Sequence, residues 1–296
     1  MDYWFRGKST VAAYVPDRVR AAGMAGAFYL KPNWPGRARQ VANAGFIVGE
    51  RCVAVIDTEG SYASGRRLLA AIEAITSLPV CYVVNTHFHP DHVLGNAAFV
   101  REGVIFVGHE NLAEALRERA NQYLAGARAL VGDEAFTGTQ VVLPTLRIRG
   151  RLDLDLGNRR IVLESWPTAH TNSDLTIFDE RTATWFLGDL LFSGHIPALD
   201  GKLIGWIRVT AELTSRNVAR VVPGHGPASL PWPDAAGAMT RYLDTLAADL
   251  RRMIAEGRTM REAASRAGAE EASRWSLFDE FNPRNATAAF HELEWE

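Results

Sequence analysis

The alternation of apolar and polar positions becomes legible from about residue 25. Residues 25–30, 44–48 and 52–56 are short β-branched or aromatic runs separated by Gly, Pro and Asn, which is how successive strands read. From Ser61 the spacing changes. Leu68, Leu69, Ile72 and Ile75 fall on one helical face, and the Ser61 hydroxyl stands where it can cap the first turn. Residues 80–84 are a continuous apolar run, as expected of a strand buried on both faces. A short helical stretch near Asn96, a strand at 104–107 and a longer helix from about Glu110 to Leu130 follow.

The second half repeats the scheme, with strands expected at 146–148, 152–156, 161–163, 175–178, 184–187 and 221–222. Two β-rich halves with helices outside predict two sheets packed face to face between helical layers. Beyond Pro233 the pattern is helical: Met239, Tyr242, Leu243, Leu246 and Leu250 share a face, and Thr259 opens a second helix after the break at Gly257. The tail carries Trp275, Phe278, Phe281, Phe290 and Trp295. That surface is too apolar for a solvated linker and is expected to dock on its own domain or a neighbouring subunit. The division expected is an extension over 1–23, a catalytic domain over 24–232 and a C-terminal helical extension over 233–296.

Composition narrows the class. With 47% hydrophobic and 22% charged residues over 296 positions, the chain reads as a globular enzyme. Thirty-two basic residues against 34 acidic, with no dense Lys/Arg block, argue against a nucleic-acid partner. No stretch reaches the ~20 apolar residues of a membrane span, and the opening MDYWFRGKST lacks the order of a signal peptide. The expected location is cytoplasmic, or periplasmic if an export signal has been removed. Cys52 and Cys81 both sit in apolar runs and are expected as buried free thiols.

The chemistry lies in THFHPDH, directly after the apolar run at 80–84. His87, His89, Asp91 and His92 put three imidazoles and a carboxylate into six residues, a ligand set suited to zinc and less often to iron or manganese. Pro90 is expected to stop a helix there, leaving a tight loop. Neighbouring Asp91 and His92 point away from the His87 and His89 pair, so two metals are the natural solution. The remaining ligands should arrive at later strand ends, where His170 in PTAHTNSD, Asp189 in FLGDLLF and His225 in VVPGHGP stand. His195, in SGHIP, either faces the metals as a proton or hydrogen-bond donor, or simply bonds the backbone. His109 and His291 read as structural. Trp206 and the surrounding IGWI run read as either core or pocket wall.

THFHPDH with His170, Asp189 and His225 resembles the metallo-β-lactamase superfamily, over roughly residues 25–230. The resemblance implies an α+β fold, an αββα sandwich with the metals at the strand ends, here with the C-terminal helical extension added. It implies two zinc ions per chain: His87, His89 and His170 on one, Asp91, His92 and His225 on the other, and Asp189 between them. It places Asp57 beside the metal loop as an orienting acid. A narrower resemblance, through FIVGERCVAVIDTEGS, GDLLFSGHIPALDGKLIGW and LFDEFNPRNATAAFHELEWE, is to the quinoprotein relay system zinc metallohydrolases.

Such a site implies a hydrolase in which a hydroxide shared by the two ions attacks an ester, thioester, lactone or phosphoester-type bond of a small molecule, with Asp91 also holding a proton. An Asp at position 189 disfavours β-lactam cleavage, Phe192 in place of Tyr disfavours quorum-signal lactones, and the acidic end ELEWE disfavours glutathione thioesters. The rivals are a mononuclear iron persulfide dioxygenase on the same fold and a non-catalytic metal-binding relay protein.

Overall fold

The computed structural model describes residues 11–12 and 42–296; the strand expected at 25–30, and all of the expected 1–23 extension except residues 11–12, lie outside them. The first sheet holds β1 (Val11–Ala12), β2 (Gly45–Val48), β3 (Val53–Ile56), β4 (Val80–Val84), β5 (Ile105–His109) and β6 (Leu146–Ile148), paired in chain order. Strands β3 to β6 run parallel, whereas β1 and β2 pair antiparallel. The second sheet holds β7 (Arg151–Asp155), β8 (Arg160–Ser165), β9 (Leu175–Asp179), β10 (Thr184–Phe192), β11 (Arg220–His225) and β12 (Leu230–Pro231). Its first four strands form an antiparallel meander, and β11 joins β10 in parallel.

The strand period of two divides the core. In β3, Ala54 and Ile56 face the second sheet, where they meet Ile161, Leu163, Ile177, Phe186 and Val222. Val53 and Val55 face the other way, onto Leu68, Leu69 and Ile72 of helix α1 (Tyr62–Ile75). Ser61 caps α1 as its position predicts, its Oγ accepting from the Ser64 N–H at 3.2 Å. One turn, α2 (Pro90–Val93), and a 3-10 segment (Leu94–Phe99) follow β4. Helices α3 (Leu112–Val131) and α4 (Asp133–Phe136) then lie between β5 and β6.

The outer face of the second sheet is covered by α5 (Leu203–Thr214), α6 (Gly237–Ala255), α7 (Met260–Arg266) and α8 (Phe278–Leu293). The result is four layers, helix, sheet, sheet, helix, with mixed α and β content. Helix α5 is absent from the periodicity reading. Its run LIGWI is apolar almost all round because one face meets the sheet while neighbouring residues meet α6. Trp206 therefore belongs to the core, its indole N–H donating to the Leu190 carbonyl at 3.2 Å. Thr259 opens α7 with a reciprocal capping box to Glu262. Trp275 and Phe290 are buried against α6 and its neighbours, so most of the apolar tail is covered within the chain; Trp295 is exposed. Among the described residues, no helix is long and apolar enough to cross a membrane.

Cys52 and Cys81 are not free thiols: they form a disulfide, with Cα atoms 5.8 Å apart. They stand 29 residues apart, Cys52 just before β3 and Cys81 within β4, and only the pairing of β3 beside β4 brings them together. The bond joins the two strands that lead to Asp57 and His87. Closing a loop of this length is worth about 3.6 kcal/mol through the unfolded chain. Reduction, or the double change Cys52→Ala with Cys81→Ala, is expected to lower the urea midpoint by a corresponding amount. A midpoint unchanged by reductant would show that the cross-link does not constrain the unfolded state.

Candidate metal centre

The candidate ligands arrive from four segments along one edge of the sandwich, with Asp57 behind them on a fifth. Strand β3 ends at Ile56, and Asp57 turns the chain with φ 55°, a left-handed conformation that Asp tolerates better than most residues. Strand β4 feeds Asn85, Thr86 and His87. His89 is extended, and Pro90 then opens α2 instead of preventing a helix. Proline is well suited to the first helical position, where its missing N–H would have no partner, so the expectation of a purely non-helical loop is corrected here. The single turn puts Asp91 and His92 in a different donor group from His87 and His89, but the His92 ring does not point away from His87: their centroids are 4.2 Å apart.

His170 stands in the loop between β8 and β9, whose shape is set by Asp174. The Asp174 carboxylate accepts from the Thr171 N–H at 2.9 Å and the Thr171 hydroxyl at 2.6 Å. Asp189 lies inside β10 and does not close it. The pairing of β10 with β11 shifts register at Gly188, which takes φ 53°, and this bulge re-aims the carboxylate. His225 ends β11. The glycine before it is required by space, since a Cβ at Gly224 would lie 1.8 Å from Asp189 Oδ1.

The seven residues fall into two groups whose donor atoms lie within 4.8 Å of one another: His87, His89, His170 and Asp189, and Asp91, His92 and His225. Asp189 adjoins both. Its Oδ2 is 3.6 Å from His87 Nε2, 3.4 Å from His170 Nε2 and 3.4 Å from His225 Nε2, while its Oδ1 is 3.2 Å from His92 Nε2. Asp91 Oδ2 lies 3.4 Å from His225 Nε2.

Hydrogen bonds behind the ligands set their tautomers. Asp57 Oδ2 accepts from His92 Nδ1 at 2.8 Å and from the Thr86 hydroxyl at 2.7 Å. With its proton so directed, Thr86 Oγ1 accepts from His87 Nδ1 at 3.0 Å. His170 Nδ1 donates to the Ala198 carbonyl at 2.6 Å. All three rings thus present Nε2 to the cluster. His89 is reversed: its Nε2 bonds Asp200 Oδ2 at 3.0 Å and its Nδ1 faces His170 Nε2 at 3.1 Å.

This arrangement fits a metal. His87 Nε2, His92 Nε2 and Asp189 Oδ1 are buried without a hydrogen-bond partner among the described residues. Buried polar atoms in native proteins are almost always paired. Neutral His92 with its proton on Nδ1 would set a lone pair against the lone pairs of Asp189, a contact that needs a cation between them.

The electrostatics agree. Burial and the charge of His92 hold His87 well below the usual histidine range. Burial likewise lowers His170 to about 3, against the pull of Asp189. Burial disfavours charge on Asp189 too, yet His225, His92 and His87 keep its carboxyl well below the ordinary value. Against the same desolvation, Asp189 carries His225 up to about 9, and Asp189 and Asp57 raise His92. Protons take the place of the cation in the metal-free chain, and a metal displaces them.

A cleft of about 350 Å³ opens onto this cluster, lined by His89, Asp91, Asp189 and His225 at its floor. His195 also lines it, its ring 5.4 Å from that of His225. His195 Nδ1 donates to the Ile196 carbonyl at 2.5 Å, so both sequence readings of this residue describe part of its setting. The neutral ring then offers Nε2 as an acceptor, not the donor anticipated. His109 closes β5, and His291 is exposed on α8 beside Glu294; neither joins the cluster. Thr86 opens THFHPDH, and Asp200 and Arg284 lie in GDLLFSGHIPALDGKLIGW and LFDEFNPRNATAAFHELEWE, but nothing in their spacing marks them as parts of the site, which they join through the fold.

A family model of the metallo-β-lactamase superfamily matches residues 37–228. Among curated proteins, a linear primary-alkylsulfatase from a Pseudomonas species is 44% identical over 48 residues, which is 16% of this chain and 9% of that protein. A stereoselective inverting sec-alkylsulfatase from Pseudomonas sp. superposes with a TM-score of 0.66 at 16% identity, over 85% of this chain and 47% of that one. A metallo-β-lactamase from Pontibacter korlensis does so with a TM-score of 0.57 at 20% identity, over 69% of this chain and 87% of that one. At these identities the solved structures speak for the fold alone, whereas the family match spans well over half the chain and contains all the residues of the two donor groups: the protein belongs to the metallo-β-lactamase superfamily.

Proposed function

We propose that this chain is a dinuclear zinc hydrolase acting on an ester, thioester, lactone or related bond of a small molecule. The observation that carries the reading is the pair of donor groups meeting at one carboxylate, Asp189. His87, His89 and His170 would hold one ion, Asp91, His92 and His225 the other, and Asp189 would touch both. Bound zinc supplies Lewis acidity and a nucleophile from water at neutral pH.

The chain's own residues do the rest. Asp57, Thr86, the Ala198 carbonyl and Asp200 direct ring protons away from the cluster, leaving ligand lone pairs facing it. Asp91 lines the cleft, and although burial disfavours its charge, His92 and His225 lower its carboxyl to about 2. It therefore enters as the anion and can take a proton from the attacking water and pass it to the leaving group. His195 Nε2 accepts a hydrogen bond from substrate. Phe192 and Leu199 exclude bulk water beside the reacting bond.

The alkylsulfatase relatives add sulfate esters to the bonds worth assaying. A small molecule is the partner inferred, with no nucleic acid. The Cys52–Cys81 disulfide favours an oxidising compartment, which supports the periplasmic over the cytoplasmic alternative.

The protein is expected to bind close to two zinc per chain by plasma emission. Chelation should abolish hydrolysis and zinc should restore it. Turnover of thioester, lactone, carboxylic, phosphate and sulfate ester probes in oxygen-18 water should place one solvent oxygen in the product. A single tightly held iron, with product oxygen drawn from molecular oxygen, would instead identify a dioxygenase. Full metal occupancy with no turnover would leave a binding role.

A further inference from the structure

Part of the cleft wall is built by α8, in the C-terminal region that follows the residues matched by the family model. Phe281, Arg284 and Asn285 stand at i, i+3 and i+4, so one helix face looks into the cleft. Asn285 is wholly committed. Its Oδ1 accepts from the Leu199 N–H at 2.9 Å, and its Nδ2 donates to the Pro197 carbonyl at 2.6 Å and to Tyr242 Oη at 2.9 Å. These bonds pin α8 to the loop carrying His195 and Asp200, so the residue before Asn285 is held at a defined place on the rim.

That residue is Arg284. It is the one arginine or lysine of the cleft lining, and it makes no ion pair among the described residues. Its guanidinium lies 5.7 Å from the Phe281 ring, a cation–π contact that orients the side chain and takes up none of its N–H donors. Apart from the donor groups the lining is mostly apolar, with Leu130, Phe192, Ala198, Leu199 and Phe281; the Asp200 carboxylate also lines it, engaged by His89 Nε2 at 3.0 Å. One cleft therefore combines metal donors, hydrocarbon and a single exposed cation.

The geometry points to Arg284 as a substrate-binding residue that selects an apolar acyl or alkyl chain ending in an anion, such as a carboxylate, at the end remote from the scissile bond. The assignment rests on the hydrolase reading for what happens at the floor. Hydrocarbon contacts hold the middle of the molecule, and a charge-assisted hydrogen bond to the guanidinium holds its far end.

The test uses the zinc-loaded full chain and isothermal titration with octanoate and octanedioate, which differ only in the second carboxylate. Wild type is expected to bind octanedioate about tenfold more tightly, as a charge-assisted contact worth one decade of affinity requires. Arg284→Ala should remove that preference and leave octanoate affinity unchanged, whereas Arg284→Lys should keep part of it. Because Arg284 is exposed, both variants should retain the wild-type melting temperature. In parallel, p-nitrophenyl octanoate and its ω-carboxylated analogue report turnover, and the loss in Arg284→Ala should fall on KM for the carboxylated probe alone. Absence of any preference in wild type, including no binding of either acid, or a preference that survives in Arg284→Ala, would overturn the assignment. A preference that behaves as expected while neither ester is hydrolysed would instead count against the hydrolase reading and leave the anion site standing.

Discussion

Replacing Asp189 with alanine is expected to lower occupancy of both metal sites together, and to cut hydrolysis by roughly 100-fold or more, beyond what the loss of an orienting residue costs. Its Oδ2 lies 3.4 to 3.6 Å from donors of both groups, and its Oδ1 is 3.2 Å from His92 Nε2. No other carboxylate among the described residues adjoins both. Removing it also leaves Asp91, beside His92 and His225, as the one carboxylate of the two donor groups, so two dications would face each other with less negative charge to offset them. Alanine adds no bulk against Gly224, where the space is tight, so the fold should survive. Metal content by plasma emission on the folded variant decides the matter. Two ions retained would remove Asp189 from the bridging role, and loss of one ion alone would assign it to a single site.

The second large effect is expected from Asp57→Asn, which keeps the shape and tolerates the left-handed backbone at this position. The carboxylate accepts three hydrogen bonds: from the Thr86 N–H at 2.8 Å, the Thr86 hydroxyl and His92 Nδ1. An amide has only one oxygen. If that oxygen keeps the Thr86 N–H, the amide NH₂ faces His92 Nδ1 and forces the ring proton onto Nε2, the atom that must ligate. The Thr86 hydroxyl loses its acceptor as well, and with it the orientation that fixes His87. Metal affinity should fall by about 10- to 100-fold, more at the group containing His92 than at the other. Competition with a calibrated chelator measures the affinity, and nitrogen-15 shifts of the imidazoles report the tautomer. Unchanged shifts together with unchanged affinity would show that Asp57 serves folding alone.

Several features were legible in the chain because they are local. A strand inside a sheet shows as an uninterrupted apolar run, and β4 falls on the residues expected. Ser61 and Thr259 announce helices through short-range capping chemistry. His87, His89, Asp91 and His92 are concentrated in six residues, so their convergence needs no knowledge of the rest of the fold. Where local signals are ambiguous, the reading slipped. Pro90 can end a helix or start one, and α5, buried on more than one side, shows no clean period.

What the sequence alone determined, then, is the layered fold class and the types of donor in the candidate site, since both are written in short-range periodicity and in one dense motif. Tertiary structure decided which strands lie side by side, and so that Cys52 meets Cys81. It decided that a bulge at Gly188 turns Asp189 toward both donor groups, that Asp200 reaches His89 across 111 positions, and that α8 sets Arg284 over the cleft. The physical reason is common to all of these. Each depends on register and on close approach between segments far apart in the chain, and such contacts are selected by the packing of the whole core.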